Sequence, residues 1–248
     1  MISIIGYGIV GQATHVGLLD NREVTIFDPA NDNFSKTIVK NMDVIFICLP
    51  SNNQNDLNNI LQTCQTLQSN NPNAEFVIRS TIPLSFIDTL SNNIHKWSYC
   101  PEFLRERHWK TDCKIEPIII GSRQTSLLIN LLADKKLNIM TVQEAATLKL
   151  ALNCFNSLRV VFANHIYNIC QTNNTNYDIV KKELESKIDS SQQSYLEVNP
   201  SLRGFGGKCL PKDLDLLISD FSHFNLTQSL FDAIQLDNQL WPSTIRED

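Results

Sequence analysis

The segment NPSLRGFGGKCLPKDLDLL places Cys209 directly after Gly206, Gly207 and Lys208 and four residues before Asp213. Glycines let a ligand come close to the backbone, and Lys208 and Lys212 add positive charge that draws a thiol toward the reactive thiolate. This is the setting of an activated nucleophile. A second array, at the amino terminus, suits a different chemistry. In MISIIGYGIVGQATHVGLL, Gly6, Gly8 and Gly11 form a G-x-G-x-x-G pattern between an apolar strand-like run and a helix-like one, with Ile9 and Val10 inside it. Gly6 allows a tight turn, Gly8 lets the backbone approach a pyrophosphate, and Gly11 lets helix and strand pack closely. The next apolar run ends in Asp28, near the spacing expected of a carboxylate that accepts hydrogen bonds from the adenosine ribose, which favours NAD over NADP.

Two further pairs have helical spacing. Lys149 and Asn153 are four apart, so both can reach one substrate oxygen, although a solvated lysine and a polar spot on a core helix would have the same spacing. Glu102 and Glu106, in PEFLRE, are also four apart; a carboxylate there could serve as a base, while Glu106 could equally pair with Arg105 or Arg107 at the surface.

Elements able to hold these groups follow from the apolar pattern. Short apolar runs at Ile2 to Ile5, Val24 to Phe27, Val44 to Cys48, Phe76 to Ile78 and Ile118 to Ile120 read as buried parallel strands. Helical stretches between them, Ile9 to Leu19 and Leu57 to Leu67, give the alternation of a doubly wound α/β sheet. From Val142 to about Cys170 helical spacing runs without glycine or proline, Tyr177 to Ile188 reads as a further helix, and Asn199 to Gly207 is a loop. The expected division is a Rossmann-type domain over 1–141 and a helical domain over 142–248 that carries the cysteine loop.

Composition narrows the function classes. Among 248 residues, 21 basic against 26 acidic side chains without a block of like charge give no footprint for a nucleic-acid backbone or an anionic membrane. Seven scattered cysteines without a CxxC pair suggest neither a disulfide framework nor a zinc site, and so a reducing compartment. With no apolar run long enough to span a bilayer and none reading as a cleavable signal, a cytoplasmic protein is expected.

Taken together, GYGIVG, STIP at Ser80 to Pro83, CPEFLRE at Cys100 to Glu106, the stretch Lys149 to Asn153 and FGGKCLPKD at Phe205 to Asp213 resemble, in order, the motifs of the UDP-glucose/GDP-mannose dehydrogenase family. The resemblance implies oxidation of a nucleotide-linked hexose from alcohol to acid by two NAD molecules, of the UDP-glucose to UDP-glucuronate type that feeds polysaccharide synthesis, and a homodimer formed through the long helix. It makes Cys209 the nucleophile, Asp213 an acid that positions water, and Lys149 and Asn153 stabilisers of the developing oxyanion. It makes Glu102 the base for thioester hydrolysis and places Thr81 at the water or the nicotinamide. It puts Pro50 and Ser51 along the cofactor, gives Glu106 to cofactor or substrate, and assigns Phe103, Leu104, Ser201, Phe205 and Gly206 to the sugar nucleotide.

The sequence departs from the family pattern in several places. It stops at Asp248, where the family continues into a second Rossmann-like domain, so a separately encoded nucleotide-binding domain or subunit is one expectation. The linker from Asp28 to Asp43 is short. Ala146 and His165 stand where the family usually has glutamates, and Glu197-Val198 replaces a Tyr-Asn pair before the phosphate loop. Two other readings stay open: a non-catalytic NAD-binding or interaction protein descended from such an enzyme, and a dehydrogenase of smaller hydroxy acids. Cys209 argues against the latter, because a single hydride transfer needs no thiol acceptor.

Overall fold

Ile2–Ile5 forms β1, flanked in parallel by β2 (Thr25–Phe27) and β3 (Val44–Ile47), and every residue of β3 is buried, as a central strand covered on both faces requires. The computed structural model describes residues 1–28, 40–115, 117–122, 126–187, 195–207 and 209–242, with Glu106 described by its backbone alone. The sheet continues through β4 (Glu75–Ile78), β5 (Trp97–Tyr99), β6 (Ile118–Gly121) and β7 (Leu137–Met140), in the order β2-β1-β3-β4-β5-β6-β7. Uniformly parallel pairing was the expectation, and one seam differs: β6 runs antiparallel to β5, paired at Tyr99 and Gly121, before β7 resumes parallel to β6.

Helices cover this sheet. The glycine array opens α1 (Ile9–Ala13), which widens into a π-helical turn over Thr14–Leu18. The helix α2 (Gln54–Asn70) starts where the Asn53 side chain accepts from the amides of Asn55 and Asp56, and it turns Leu57, Ile60, Cys64 and Leu67 inward at spacings of three and four. Shorter helices α3 (Ile87–Asn93), α4 (Trp109–Asp112) and α5 (Leu127–Leu131) complete the covering. The buried Glu75 carboxylate in β4 accepts from the hydroxyls of Ser98 and Ser126 and from the Leu127 amide, so a charged residue inside the sheet is satisfied by the start of α5.

The long helix α6 (Val142–Thr172) begins with a reciprocal cap: the Glu144 carboxylate accepts from the Thr141 amide at 2.7 Å, and the Thr141 hydroxyl accepts from the Glu144 amide at 3.2 Å. The chain divides into two compact units within this helix, Met1–Lys149 and Leu150–Asp248. Beyond α6 the second unit contains α7 (Tyr177–Glu185), α8 (Leu210–His223) and α9 (Ser229–Asn238). Its core is formed by Cys154, Val161, Phe205, Leu214 and Ile234. The short linker noted between Asp28 and Asp43 falls largely, and the expected end of α7 at Ile188 falls wholly, outside the described residues.

Candidate functional site

The glycine array lies at the carboxyl end of β1. Gly6 has φ +86°, and a Cβ on Gly11 would stand 2.1 Å from the Gly6 carbonyl oxygen, so the turn and the start of α1 can be this close only without side chains there. Gly8 differs: a Cβ there would meet nothing within 4 Å, so packing inside the chain does not explain that glycine. Asp28, at the end of β2, accepts from the Tyr7 amide at 2.8 Å and is thereby held beside the same turn. An open backbone edge flanked by a fixed carboxylate fits a dinucleotide. Ile9 and Val10 are half-buried in the first turn of α1. After β3, Pro50 is exposed and Ser51 buried, and the Ser80 hydroxyl, past β4, ties the strand ends together by donating to the Leu49 carbonyl at 2.6 Å. Thr81 is buried.

The first unit holds a second group of polar residues at its strand ends. Lys149, almost wholly buried in α6, donates to Glu102 Oε1 at 3.2 Å, and its ammonium lies 5.6 Å from the centre of the Phe103 ring. The Leu104 amide donates to Glu102 Oε2 at 2.6 Å. Burial alone would raise the Glu102 carboxyl, but the Lys149 charge, the Leu104 amide and the nearby Arg79 outweigh it and hold the group below the ordinary glutamate range. Glu102 is therefore an ion at neutral pH. The side chain of Glu106 lies outside the described residues; Arg105, one of its expected partners, pairs with Asp112 at 2.8 Å.

Arg79 escaped the sequence reading. Its guanidinium is buried just past β4, donating to the carbonyls of Cys100 and Pro101 at 2.6 and 3.2 Å, to Cys100 Sγ at 3.1 Å and to the Thr14 hydroxyl at 3.1 Å. It thus fixes the backbone just before Glu102 and touches the helix that follows the glycine array. Its adjacency to the STIP motif was the available signal, and nothing in the sequence marked it as buried.

In the second unit, Asn153 Nδ2 donates to Asp213 Oδ2 at 2.5 Å, and the Lys212 ammonium lies 3.2 Å from Asp213 Oδ1. Asp213 is wholly buried in the first turn of α8. Cys209 is the half-buried residue that caps this helix, its carbonyl accepting from the Asp213 amide at 2.9 Å. The start of a helix favours negative charge, so a thiol at this position is drawn toward the thiolate. Cys154, by contrast, is buried in the core, and burial pushes its thiol up to about 12, with the Asp213 charge adding to the rise. Phe205 packs into the core, Gly206 is half-buried, and Ser201 is exposed in a turn where its amide donates to the Asn199 side chain. Lys208 lies outside the described residues.

Residues 143–239 match the model of the UDP-glucose/GDP-mannose dehydrogenase family, central domain. UDP-glucose 6-dehydrogenase of Campylobacter jejuni is 29% identical over 216 residues, covering 81% of this chain and 53% of that protein. The helical half of the chain thus matches the central domain of the UDP-glucose/GDP-mannose dehydrogenase family, and most of the chain is similar to members of that family. A second relative, the UDP-glucose 6-dehydrogenase of Rickettsia bellii, is 25% identical over 233 residues, covering 85% of this chain and 52% of that protein. The chain thus spans about half the length of these curated relatives. In fold it is similar to a UDP-glucose dehydrogenase of Pyrobaculum islandicum (TM-score 0.80, 21% identity, 96% of this chain and 68% of that one). It is also similar to Mycobacterium tuberculosis 3-hydroxyisobutyrate dehydrogenase (TM-score 0.74, 13% identity, 96% and 92%).

The positions where this chain departs from the family pattern have ordinary local explanations. Ala146 is buried among the core residues of the first unit, where a glutamate would need a partner. His165 lies 2.9 Å from Asp237 and edge-on to Trp241, and Glu197 pairs with Lys181.

Proposed function

We propose that this chain carries the NAD-binding and thiol chemistry of a nucleotide-sugar 6-dehydrogenase, oxidising UDP-glucose or a close relative to the uronic acid. The observation that carries the reading is the cap position of Cys209 on α8, with Asn153 bonded to Asp213 one turn into the same helix. A packing role would not call for a half-exposed thiol at a helix start followed by a buried carboxylate fixed by an amide.

Two NAD molecules in turn, each held along Gly6, Gly8, Gly11 and Asp28, would supply the acceptor for one hydride apiece. The chain's own groups do the rest. As the substrate alcohol loses its proton and first hydride, Lys149 and Asn153 donate to its oxygen, the charge-stabilising role of a cation and an amide already held in place. The Cys209 thiolate then adds to the aldehyde carbon, forming a C–S bond, and its oxygen takes up a proton to give a thiohemiacetal. Loss of that proton and the second hydride leaves a thioester. The family resemblance assigns the orienting of water to Asp213 and its deprotonation to Glu102; addition of that water to the thioester carbon breaks the C–S bond and releases acid and thiol. Glu102 suits this role in that it is already ionised, and its pairing with Lys149 makes it a weak base whose strength depends on that lysine.

The test is turnover by the purified chain with NAD and a panel of UDP- and GDP-hexoses, scored as NADH formed per sugar consumed. Two per sugar, abolished in Cys209→Ala, is expected. NADH binding without turnover of any sugar in the panel would overturn the reading in favour of a binding protein, and one NADH per substrate surviving Cys209→Ala would point to a simple hydroxy-acid dehydrogenase. We further propose that the outward apolar face of α6 is covered by a second copy of the chain and that the protein works in the cytoplasm.

A further inference from the structure

The residues around Cys209 are anchored at two points, and Arg203 makes the upstream one. Its Nε donates to Asn164 Oδ1 at 2.9 Å, and its Nη2 donates to the Asn164 carbonyl at 3.0 Å and to Asn168 Oδ1 at 2.8 Å, all on α6. Asn164, almost wholly buried, answers by donating to the Arg203 carbonyl at 2.6 Å. The guanidinium plane also lies between two rings, 5.2 Å from the centre of Tyr167 and 5.0 Å from that of Trp241. A fork that bonds in its plane while its faces cover aromatic rings uses what arginine has and lysine lacks.

The next two residues are held from the other side. The Gly204 amide donates to the Pro242 carbonyl at 2.7 Å, and a Cβ at Gly204 would come within 2.8 Å of the Trp241 carbonyl oxygen. Phe205 exchanges two hydrogen bonds with the Asn238 side chain, at 2.7 and 3.0 Å, and its ring enters the core. Downstream, Cys209 is fixed by the Asp213 amide on its carbonyl and by the Asn153–Asp213 bond beneath the helix start. Between these anchors stand only residues 206 to 208, two of them glycines, with Gly207 at φ +81°. A span that short and that permissive does not set the position of the sulfur by itself; the anchors do.

We propose that Arg203 is a positioning residue for the Cys209 thiol: it fixes the entry of the glycine loop against α6 and Trp241 and so determines where the sulfur stands relative to Asn153 and Asp213. This rests on Cys209 being the nucleophile. The arginine touches no reacting atom in this account, which separates it from the obvious alternative for a cation in a glycine-rich loop, direct contact with a substrate phosphate.

The experiment compares the full chain with Arg203→Met, Arg203→Lys and the milder Asn168→Ala, which removes one exposed bond from the arginine. Steady-state kinetics with UDP-glucose are read beside the rate at which iodoacetamide alkylates Cys209, followed by peptide mass spectrometry, with circular dichroism to verify folding. Arg203→Met is expected to lower kcat by roughly tenfold to a hundredfold, as a misplaced nucleophile does, with KM shifted by less than about threefold. Cys209 alkylation should quicken by about threefold or more as the loop loosens. Arg203→Lys should behave like the methionine variant, because the charge without the planar fork does not rebuild the anchor.

Recovery of kcat and KM in Arg203→Lys, with the loss in Arg203→Met confined to KM, would make Arg203 a phosphate ligand and overturn the proposal. Unchanged kcat and alkylation in folded Arg203→Met would overturn it as well. If Arg203→Met does not fold, Asn168→Ala decides by whether its alkylation rate moves in the same direction. If the wild-type chain turns over no nucleotide sugar, the functional reading fails while the alkylation series still decides whether Arg203 positions the thiol.

Discussion

At the scale of single residues, the buried ions are the features that the sequence hid best. Arg79 and Arg203 sit in the sequence as ordinary cations, one beside STIP and one in a glycine-rich loop, and only the fold shows the first buried and the second held between two rings. Replacing Arg79 by methionine would leave the carbonyls of Cys100 and Pro101 without their donor inside the protein and remove a positive charge near Glu102. A loss of about 3 kcal/mol or more in urea unfolding is expected, and a loss below about 1 kcal/mol would show that the site relaxes. Glu102 makes a prediction about pH. Its folded-state carboxyl lies below the ordinary value, so the folded chain holds that proton less tightly than the unfolded one, and the ionised form favours folding. That contribution is complete above the unfolded glutamate value of about 4.3 and is lost as pH falls through the lower folded one. Glu102→Gln should therefore be less stable than wild type at neutral pH and lose less on acidification. Asp112, held low chiefly by its hydrogen bond from Arg105, leaves part of the acid slope in place. Parallel melting curves for the two proteins from neutral pH down to about pH 3 would contradict the account.

At the scale of elements, β1, β3 and β4 were legible because each carries buried apolar residues in a short run, Ile4-Ile5, Val44–Ile47 and Phe76 to Ile78, and they need no partner to be recognised. β5 and β7 were missed for physical reasons. β5 is three residues long with a polar centre, Trp97-Ser98-Tyr99, whose serine is satisfied by Glu75, and β7 ends the sheet with its middle two residues exposed, so neither shows an apolar run. The antiparallel seam at β6 is equally invisible, since a buried strand reads the same in either direction. In the second unit α8 was given no bounds from the sequence; its Pro211 stands in the first turn, where a helix tolerates proline. The glycine array, by contrast, could be read with its reasons, and it supports a prediction about α1. Gly11→Ala places a methyl group 2.1 Å from the Gly6 carbonyl oxygen, backbone that cannot rotate away, so α1 must move off the turn that would hold the pyrophosphate. NADH affinity, read from its fluorescence, should fall by at least about tenfold in a chain that still folds. Gly8→Ala has room on the protein side, and a loss of NADH affinity there would come from the ligand it meets. Unchanged NADH binding in Gly11→Ala would mean the dinucleotide does not use this turn.

At the scale of the whole molecule, the outward face of α6 asks for a cover. Leu152, Phe155, Phe162 and Ile169 are 39%, 44%, 46% and 58% exposed in the single chain, and they recur at intervals of three and seven, the spacing of a stripe that faces another helix. The opposite face is occupied by Asn153, Cys154, Val161 and Asn164, all buried within the second unit, so the helix cannot turn its apolar stripe inward without exposing the groups that hold Asp213 and Arg203. Arg159, beside the stripe, is itself mostly buried, its guanidinium 5.0 Å from the Phe155 ring and 4.7 Å from that of Tyr195, so it covers apolar carbon instead of breaking the stripe. Large aromatic side chains left in water along one line are a cost that a second copy removes, and a symmetric pair would set α6 against its own equivalent. Phe162→Glu should then give a folded monomer, because two like charges would meet across or near the symmetry axis, with the NADH affinity of the first unit retained. Light scattering at micromolar concentration reads this directly: wild type at twice the chain mass and the variant at one is the expected pair, and a wild-type chain that runs as a monomer would leave the stripe without the partner assigned to it.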